Sequence, residues 1–286
     1  MTVLEVIQRS TEFLKNKGVD SPRLQTELLL AHLLSLPRMQ LYLNFERKLS
    51  ETEADKFREL IKRRGQREPL QHIVGSTSFC GLEIAVNRHA LIPRQETELL
   101  AEKGWTFLNS SPSTINQPST ALDLGTGSGC IGIALAVHSP AARVVATDIS
   151  AEALELAKHN AARHKVLERV NFLQGDAFTA LNSPKLFDLI ISNPPYIPTD
   201  EIQTLQIEVR EHDPRPALDG GPDGLDFYRR ISAEARPFLK PGGKIMLEFG
   251  DGQGSAIREI FESQKWIVEA IVEDYNQRPR ILIAHG

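Results

Sequence analysis

Through the first seventy residues apolar positions recur three and four apart, in Val3, Leu4, Val6, Ile7, Phe13 and Leu14, then in Leu24, Leu28, Leu29, Ala31 and Leu33. This is the stripe of amphipathic helices, and a helical bundle is expected. Asp20-Ser21-Pro22 predicts a helix start, with Asp20 or Ser21 as the cap and a proline in the first turn. From about residue 71 the period changes. Ser76–Val86 alternates around Gly81 and predicts a short hairpin, which runs through Asn87–Arg94 into a helix near Glu96. A polar Pro/Ser loop, 109–119, comes next. Strands at 120–124, 143–147, 170–173, 186–192 and 244–249 then alternate with helices at 128–138, 151–164, 225–239 and 254–264, before two last strands near 266–272 and 280–284. Strands alternating with helices predict βαβ units and a mostly parallel sheet. The expected fold class is α/β: a Rossmann-like, doubly wound sheet preceded by a small helical bundle. The boundaries read as a helical domain at 1–72, a hairpin linker at 73–95 and the α/β domain at 96–286.

Composition narrows the function classes. The 286 residues are 41% apolar and 24% charged, which excludes disordered and collagen-like classes and leaves room for a sizeable core. Two cysteines, Cys80 and Cys130, make neither a disulfide framework nor a metal-spaced cluster, so no metal is expected. MTVLEVIQRSTEFLKNKG lacks a signal-peptide core, and no apolar run approaches the ~20 residues of a membrane span. A cytoplasmic chain with no membrane partner is expected. The net charge of −4 divides unevenly: residues 1–85 carry 13 Lys and Arg against 11 Asp and Glu, the remainder 20 against 26. The α/β part is therefore acidic, unlike a domain built to grip phosphate backbones.

Candidate chemistry starts at Asp123-Leu124-Gly125-Thr126-Gly127-Ser128-Gly129, where a strand runs through glycines into a helix. Glycines let the chain turn tightly and let a ligand lie against bare backbone. Asp148 ends the next strand about twenty residues on, where a carboxylate can take both hydroxyls of a ribose. The pair points to a nucleoside cofactor. Residues 127–132 also satisfy the dinucleotide pattern, so S-adenosylmethionine, NAD and a merely structural turn all remain open at this point. Asp123 beside the loop disfavours a bound pyrophosphate and suits a cationic cofactor. Asp176 and Ala177, after the third strand, fall where an adenine would sit; Asp176 is equally a turn aspartate.

A second motif follows the strand at 186–192: Asn193-Pro194-Pro195-Tyr196. Two prolines stiffen the backbone and leave the Asn193 side chain and the Pro194 carbonyl as rigid acceptors. An NH2 group has two donors to match them, and Tyr196 can lie on its flat face. Such a nitrogen is a poor nucleophile until its hydrogens are held and its lone pair is aimed.

These motifs resemble class I methyltransferases that use S-adenosyl-L-methionine and methylate an NH2 nitrogen, a group that includes DNA adenine methylases. Gly75–Phe79, Leu91–Glu98, Glu208-Val209, Pro216–Gly221 and Asp223–Leu225 are similar to the bacterial peptide chain release factor glutamine methyltransferase family, over essentially the whole chain. The resemblance implies methylation of the side-chain amide of the glutamine in the Gly-Gly-Gln motif of class 1 release factors by direct in-line transfer, with S-adenosyl-L-homocysteine as product. It implies catalytic roles for Asn193, Pro194 and Tyr196, substrate contacts by these and Pro195, and cofactor contacts by Gly125, Thr126, Gly127, Ser128, Gly129, Asp148, Asp176, Ala177 and Asn193. The helical domain would dock the release factor. The alternatives are an adenine-type nucleic-acid amino-methyltransferase, disfavoured by the acidic α/β part, a silent binding module and, more distantly, an NAD oxidoreductase. No direct nucleic-acid partner is expected. Two departures stand out: Gln95 replaces a family proline, and Ala177 stands where some relatives carry Trp, with Phe178 as the nearest aromatic.

Lys62-Arg63-Arg64 with Arg67 reads as a solvated charge run or a contact for RNA or an acidic partner. Arg94 reads as a ligand contact or an ion pair. Glu248 reads as a crevice-facing or an exposed strand-end acid.

Overall fold

The computed structural model describes residues 1–110, 118–181 and 186–286. Most of the expected Pro/Ser loop, 111–117, lies outside the described residues. Two compact units emerge: Met1–Ser76 with Gln206–His212, and Thr77–Leu205 with Asp213–Gly286.

The first unit holds α1 (Val3–Asn16), α2 (Pro22–Leu34), α3 (Arg38–Leu43), α4 (Glu51–Gly65) and α5 (Leu70–Val74). Reciprocal capping fixes two starts: Thr2 with Glu5 opens α1 and Ser50 with Glu53 opens α4, each satisfying otherwise unpaired amides. The α2 start differs from expectation. Pro22 is in the first turn, but Ser21 is left-handed (φ 46°) and makes no side-chain cap, because a capping hydroxyl needs extended backbone to reach the helix amides. The buried face of α2 is also rotated from the expected stripe: Leu24 is exposed, and Thr26, Glu27, Leu29, Leu30 and Ala31 are buried. Glu27 tolerates this because Arg23 (3.0 Å), Arg38 (3.1 Å) and the Tyr42 hydroxyl (2.9 Å) all donate to it. Val3, Ile7, Leu14, Leu30, Phe57 and Ile61 form the core.

The basic run is spent inside this unit. Arg63 pairs with Glu68, while Arg64, 3% exposed, donates to Gln25, the Glu68 carbonyl and Glu208. Arg67 pairs with Glu208 through Nε and Nη2, at 2.7 and 2.6 Å. Burial would push the Glu208 carboxyl up, but the hydrogen bonds from Arg67 and Arg64 bring it down to about 2.

The second unit opens with the hairpin β1 (Ser76–Phe79) and β2 (Leu82–Ala85), then α6 (Gln95–Ser110). A seven-stranded sheet follows, built from β3 (Thr120–Leu124), β4 (Arg143–Asp148), β5 (Val170–Gln174), β6 (Phe187–Ser192), β7 (Leu239–Glu248), β8 (Ile267–Glu273) and β9 (Pro279–His285). Its order is β5-β4-β3-β6-β7-β9-β8, parallel through β7 and antiparallel at β9 and β8. The helices α7 (Cys130–His138), α8 (Ala151–Arg163), α9 (Asp226–Glu234) and α10 (Gly254–Ser263) complete this α/β, Rossmann-like unit. The expected helix at 225–239 is shorter, since Pro237 cannot continue it and β7 starts at Leu239. Apolar clusters lie on both faces of the sheet, one around Leu100, Leu135 and Ile191, the other around Tyr228, Phe249 and Phe261. Among the described residues no helix is long and apolar enough to cross a membrane.

Chain order reverses between β3 and β6. In doubly wound sheets the ligand crevice lies at that reversal, beyond the carboxyl ends of the strands. The register sets Leu124 beside Ser192, and the Ser192 hydroxyl donates to the Leu124 carbonyl at 2.6 Å. The glycine loop and Asn193 therefore leave the sheet side by side.

Candidate active site

A cavity of about 320 Å³ occupies the crevice. Gly125, Thr126, Gly127 and Ser128 line it together with Asp148, Asp176, Ala177, Asn193, Pro194 and Pro195. Residues 70 positions apart in sequence are thus brought to one cleft by the β3/β6 reversal. Gly129 and Tyr196 are not among its walls.

The glycines divide the labour. Gly125 (φ +67°) has nothing within 4 Å of where a Cβ would stand, so its bare backbone faces open space. A Cβ on Gly129 (φ +82°) would stand 2.9 Å from the Ala157 side chain. Gly129 thus permits the close approach of α8 rather than contact with a ligand. Asn160, fully buried on α8, donates to the carbonyls of Ser128 (2.9 Å) and Ala85 (3.0 Å) and accepts from Ala85 N–H (2.8 Å), tying the loop to the β2 end of the hairpin.

Two carboxylates hold the loop. Asp148 accepts from Gly127 N–H at 2.8 Å and Ser150 N–H at 2.9 Å, and its oxygens keep lone pairs for further donors. Asp123 lies underneath, fully buried, accepting from the Thr126 hydroxyl (2.6 Å) and Gly132 N–H (2.9 Å). Burial pushes its carboxyl up to about 6, against those two bonds.

On the adenine side Asp176 lies at the wall, but its carboxylate is paired with Arg230 at 2.6 Å. Ala177 is left-handed (φ 48°), a conformation costly for a residue with a Cβ. Phe178 does not take the stacking position: it is buried, with its ring stacked on Phe238 at 5.0 Å. Leu91 and Ile149, a 63% exposed residue beside Asp148, supply apolar wall that the sequence reading did not single out.

Asn193 is half-buried, and its Nδ2 donates to Thr97 Oγ1 at 3.0 Å. Its Oδ1 has no hydrogen-bond partner among the described residues, leaving an acceptor at the cavity wall beside Pro194. The Tyr196 ring lies against Gly250 instead, where a Cβ would come within 2.9 Å of it. The Tyr196 carbonyl accepts from Gln253 Nε2 at 2.9 Å, and burial pushes its phenol up to about 12. Arg94 lines the cavity and also pairs with the buried Asp213 at 2.6 Å. Glu248 is neither exposed nor a wall; it is 2% exposed, beneath Asn193 and Thr97. Thr97 was missed because nothing distinguishes a helical threonine in sequence. Its place in the Arg94–Glu98 block was the available signal.

The residues suit a nucleoside with a cationic group: bare backbone at Gly125, a carboxylate at Asp148 with spare lone pairs, apolar wall at Ile149 and Ala177. Among the described residues no group of three or more His, Cys, Asp or Glu is placed to hold a metal.

Residues 5–75 match the family profile described as the PrmC N-terminal domain, and residues 104–209 match that of the methyltransferase small domain. The chain is 45% identical to the release factor glutamine methyltransferase of Geobacter sulfurreducens, over 91% of this chain and 88% of that one. It is 41% identical to the protein of the same name from Chlorobaculum tepidum, over 98% and 95%. Among solved structures the hMettl16 catalytic domain, crystallised with a MAT2A 3'UTR hairpin, superposes with a TM-score of 0.54 at 16% identity, over 83% of this chain and 82% of that one, a likeness of fold.

Proposed function

The chain belongs to the release factor glutamine methyltransferase family, and we propose that it methylates the glutamine side-chain amide in the Gly-Gly-Gln motif of class 1 peptide chain release factors. The glutamine nitrogen takes the methyl by direct in-line transfer. The observation that carries this reading is Asn193: its nitrogen is committed to Thr97, so its oxygen is the atom offered at the cavity, next to the Pro194 carbonyl.

S-adenosyl-L-methionine supplies an electrophilic methyl on a positively charged sulfur. Gly125–Ser128 and Asp148 would hold it, with Asp176, Ala177 and Asn193 as further contacts from the same cavity wall. Asn193 Oδ1 and the Pro194 carbonyl accept the two amide hydrogens, which raises electron density on nitrogen and fixes its direction. Transfer would form the N–C bond as the S–C bond breaks, and the proton that nitrogen loses would pass to water, since the two carbonyl acceptors hold and aim its hydrogens but are too weakly basic to take a proton. Pro195 stiffens the turn, and Tyr196, anchored by Gln253, sets its exit. The helical unit docks the release factor.

The test is incubation with methyl-labelled S-adenosyl-L-methionine and either release factor or adenine-containing DNA. Label in the release factor, lost when the glutamine of its Gly-Gly-Gln motif is changed to Ala, is expected. Label in DNA alone would establish the amino-methyltransferase alternative instead.

A further inference from the structure

Beneath Asn193 lies a buried acid to which the methyl-transfer reading gives no task. Glu248 ends β7, beside the strand that delivers Asn193; it is 2% exposed, and hydrogen bonding by Thr97 and Asn193 is what favours its charged form. Among the described residues its Oε2 has no hydrogen-bond partner. The backbone there is pinned: the fully buried Tyr228 donates its hydroxyl to the Glu248 carbonyl at 2.7 Å.

An asparagine amide can rotate by half a turn and exchange its oxygen for its NH2. Turned that way, Asn193 would meet an acceptor amine donor to donor. Thr97 alone cannot forbid the turn, because a hydroxyl donates as readily as it accepts. A carboxylate only accepts. Set behind Thr97 and Asn193, it draws the Thr97 proton and the Asn193 NH2 toward itself, which fixes the direction of every bond in the chain. We propose that Glu248 is a positioning residue that locks the amide of Asn193 with Oδ1 presented to the acceptor amine. The inference rests on the reading of Asn193 as an amine acceptor given above.

The groups around Glu248 set when the lock holds. Glu96 on α6 opposes its charge, Arg280 on β9 favours it, and the Tyr196 and Tyr228 hydroxyls lie nearby. Burial first, then the opposing Glu96 charge, push the carboxyl up to about 7, against the bonds from Thr97 and Asn193. Once protonated, the acid has a donor of its own and tolerates the turned amide. Turnover is therefore expected to fall below neutral pH.

The test uses the full chain. Glu248→Gln keeps the shape and introduces an NH2 beside Asn193. Its kcat at pH 8 is expected to drop about tenfold or more, with KM for the release factor and affinity for S-adenosyl-L-methionine changed by less than about threefold and the acid limb of kcat gone. Thr97→Val is expected to behave similarly and Thr97→Ser to retain turnover. Wild-type kcat with an intact limb in Glu248→Gln would overturn the proposal, as would an equal loss of cofactor affinity. A readout free of any methyl acceptor separates this from the substrate reading: the 15N side-chain amide resonance of Asn193, identified by its loss in Asn193→Ala. It is expected to titrate near neutral pH in the wild type and to lose that titration in Glu248→Gln; a resonance indifferent to Glu248→Gln refutes the lock whichever substrate is methylated.

Discussion

Glu208 and Glu248 are both carboxyls drawn out of water, and they end in opposite states. Glu208 meets two guanidinium groups, which donate three hydrogen bonds at 2.6 to 2.7 Å. It stays charged down to about pH 2 although burial opposes charge. Glu248 meets a hydroxyl and a carboxamide, with Arg280 only at longer range and Glu96 opposing, and it titrates near 7. Burial raises both; what differs is the number and charge of the donors. One acid is built to hold a helical unit together at any ordinary pH. The other keeps its proton within reach.

The contrast can be broken at several points. The largest effect is expected at the group Glu248 is tied to: Asn193→Ala should lower methyl transfer about a thousandfold, roughly 4 kcal/mol of barrier, while calorimetric binding of S-adenosyl-L-methionine persists. Next comes Glu208→Ala, which strands Arg64 at 3% exposure. Chemical denaturation should register a loss of roughly 3 kcal/mol, at the low end for a broken buried pair because Gln25 and the Glu68 carbonyl still serve Arg64.

The pH slopes should then run in opposite directions. Glu248, raised in the fold, contributes stability that is complete below its unfolded value near 4.5 and is lost as pH climbs through 7. Glu208, lowered in the fold, contributes stability present above 4.5 and lost as pH falls through 2. Glu248→Gln should therefore gain on the wild type by roughly 2 kcal/mol between pH 5 and pH 8, whereas Glu208→Gln should gain on it only below about pH 4; parallel curves in both variants would erase the distinction. The smallest effect is a control. Asp55, paired with Arg58 on the surface of α4 at 2.6 Å with both side chains largely exposed, should be replaceable by Ala without a measurable shift in the denaturation midpoint.

Local features were legible in the sequence. The glycine run, Asp148 and Asn193-Pro194-Pro195-Tyr196 announce themselves because each combines a strand end with residues few other settings demand. The mostly parallel sheet follows from strand-helix alternation. Partnerships across long sequence separations were not legible. Asn193 meets Thr97 from 96 positions away, and Glu248, a strand-end acid of a kind commonly exposed, could be set against the crevice only once β7 was placed beside β6. The basic run at Lys62–Arg67 was weighed as a surface because its counter-ion, Glu208, lies more than 140 positions downstream. The aromatic residues misled in another way. Phe178 and Tyr196 have the chemistry of stacking platforms, but their rings turn from the cavity toward Phe238 and Gly250, since a large ring gains more from burial than from bordering an open cleft.

The return of Gln206–His212 to the first unit has a consequence for synthesis. Chains grow from the N-terminus, and N-terminal domains ordinarily fold as soon as they emerge. Here the helices α1–α5 leave the ribosome with Arg64 and Arg67 lacking Glu208, which is made only after β6. The helical unit therefore reaches its final ion pairing late, after the strands β3 to β6 have been synthesised. A fragment cut at Ser76 would mimic that nascent stage: helical, but with two unneutralised guanidinium groups and a softer melting transition than the same residues show in the finished protein.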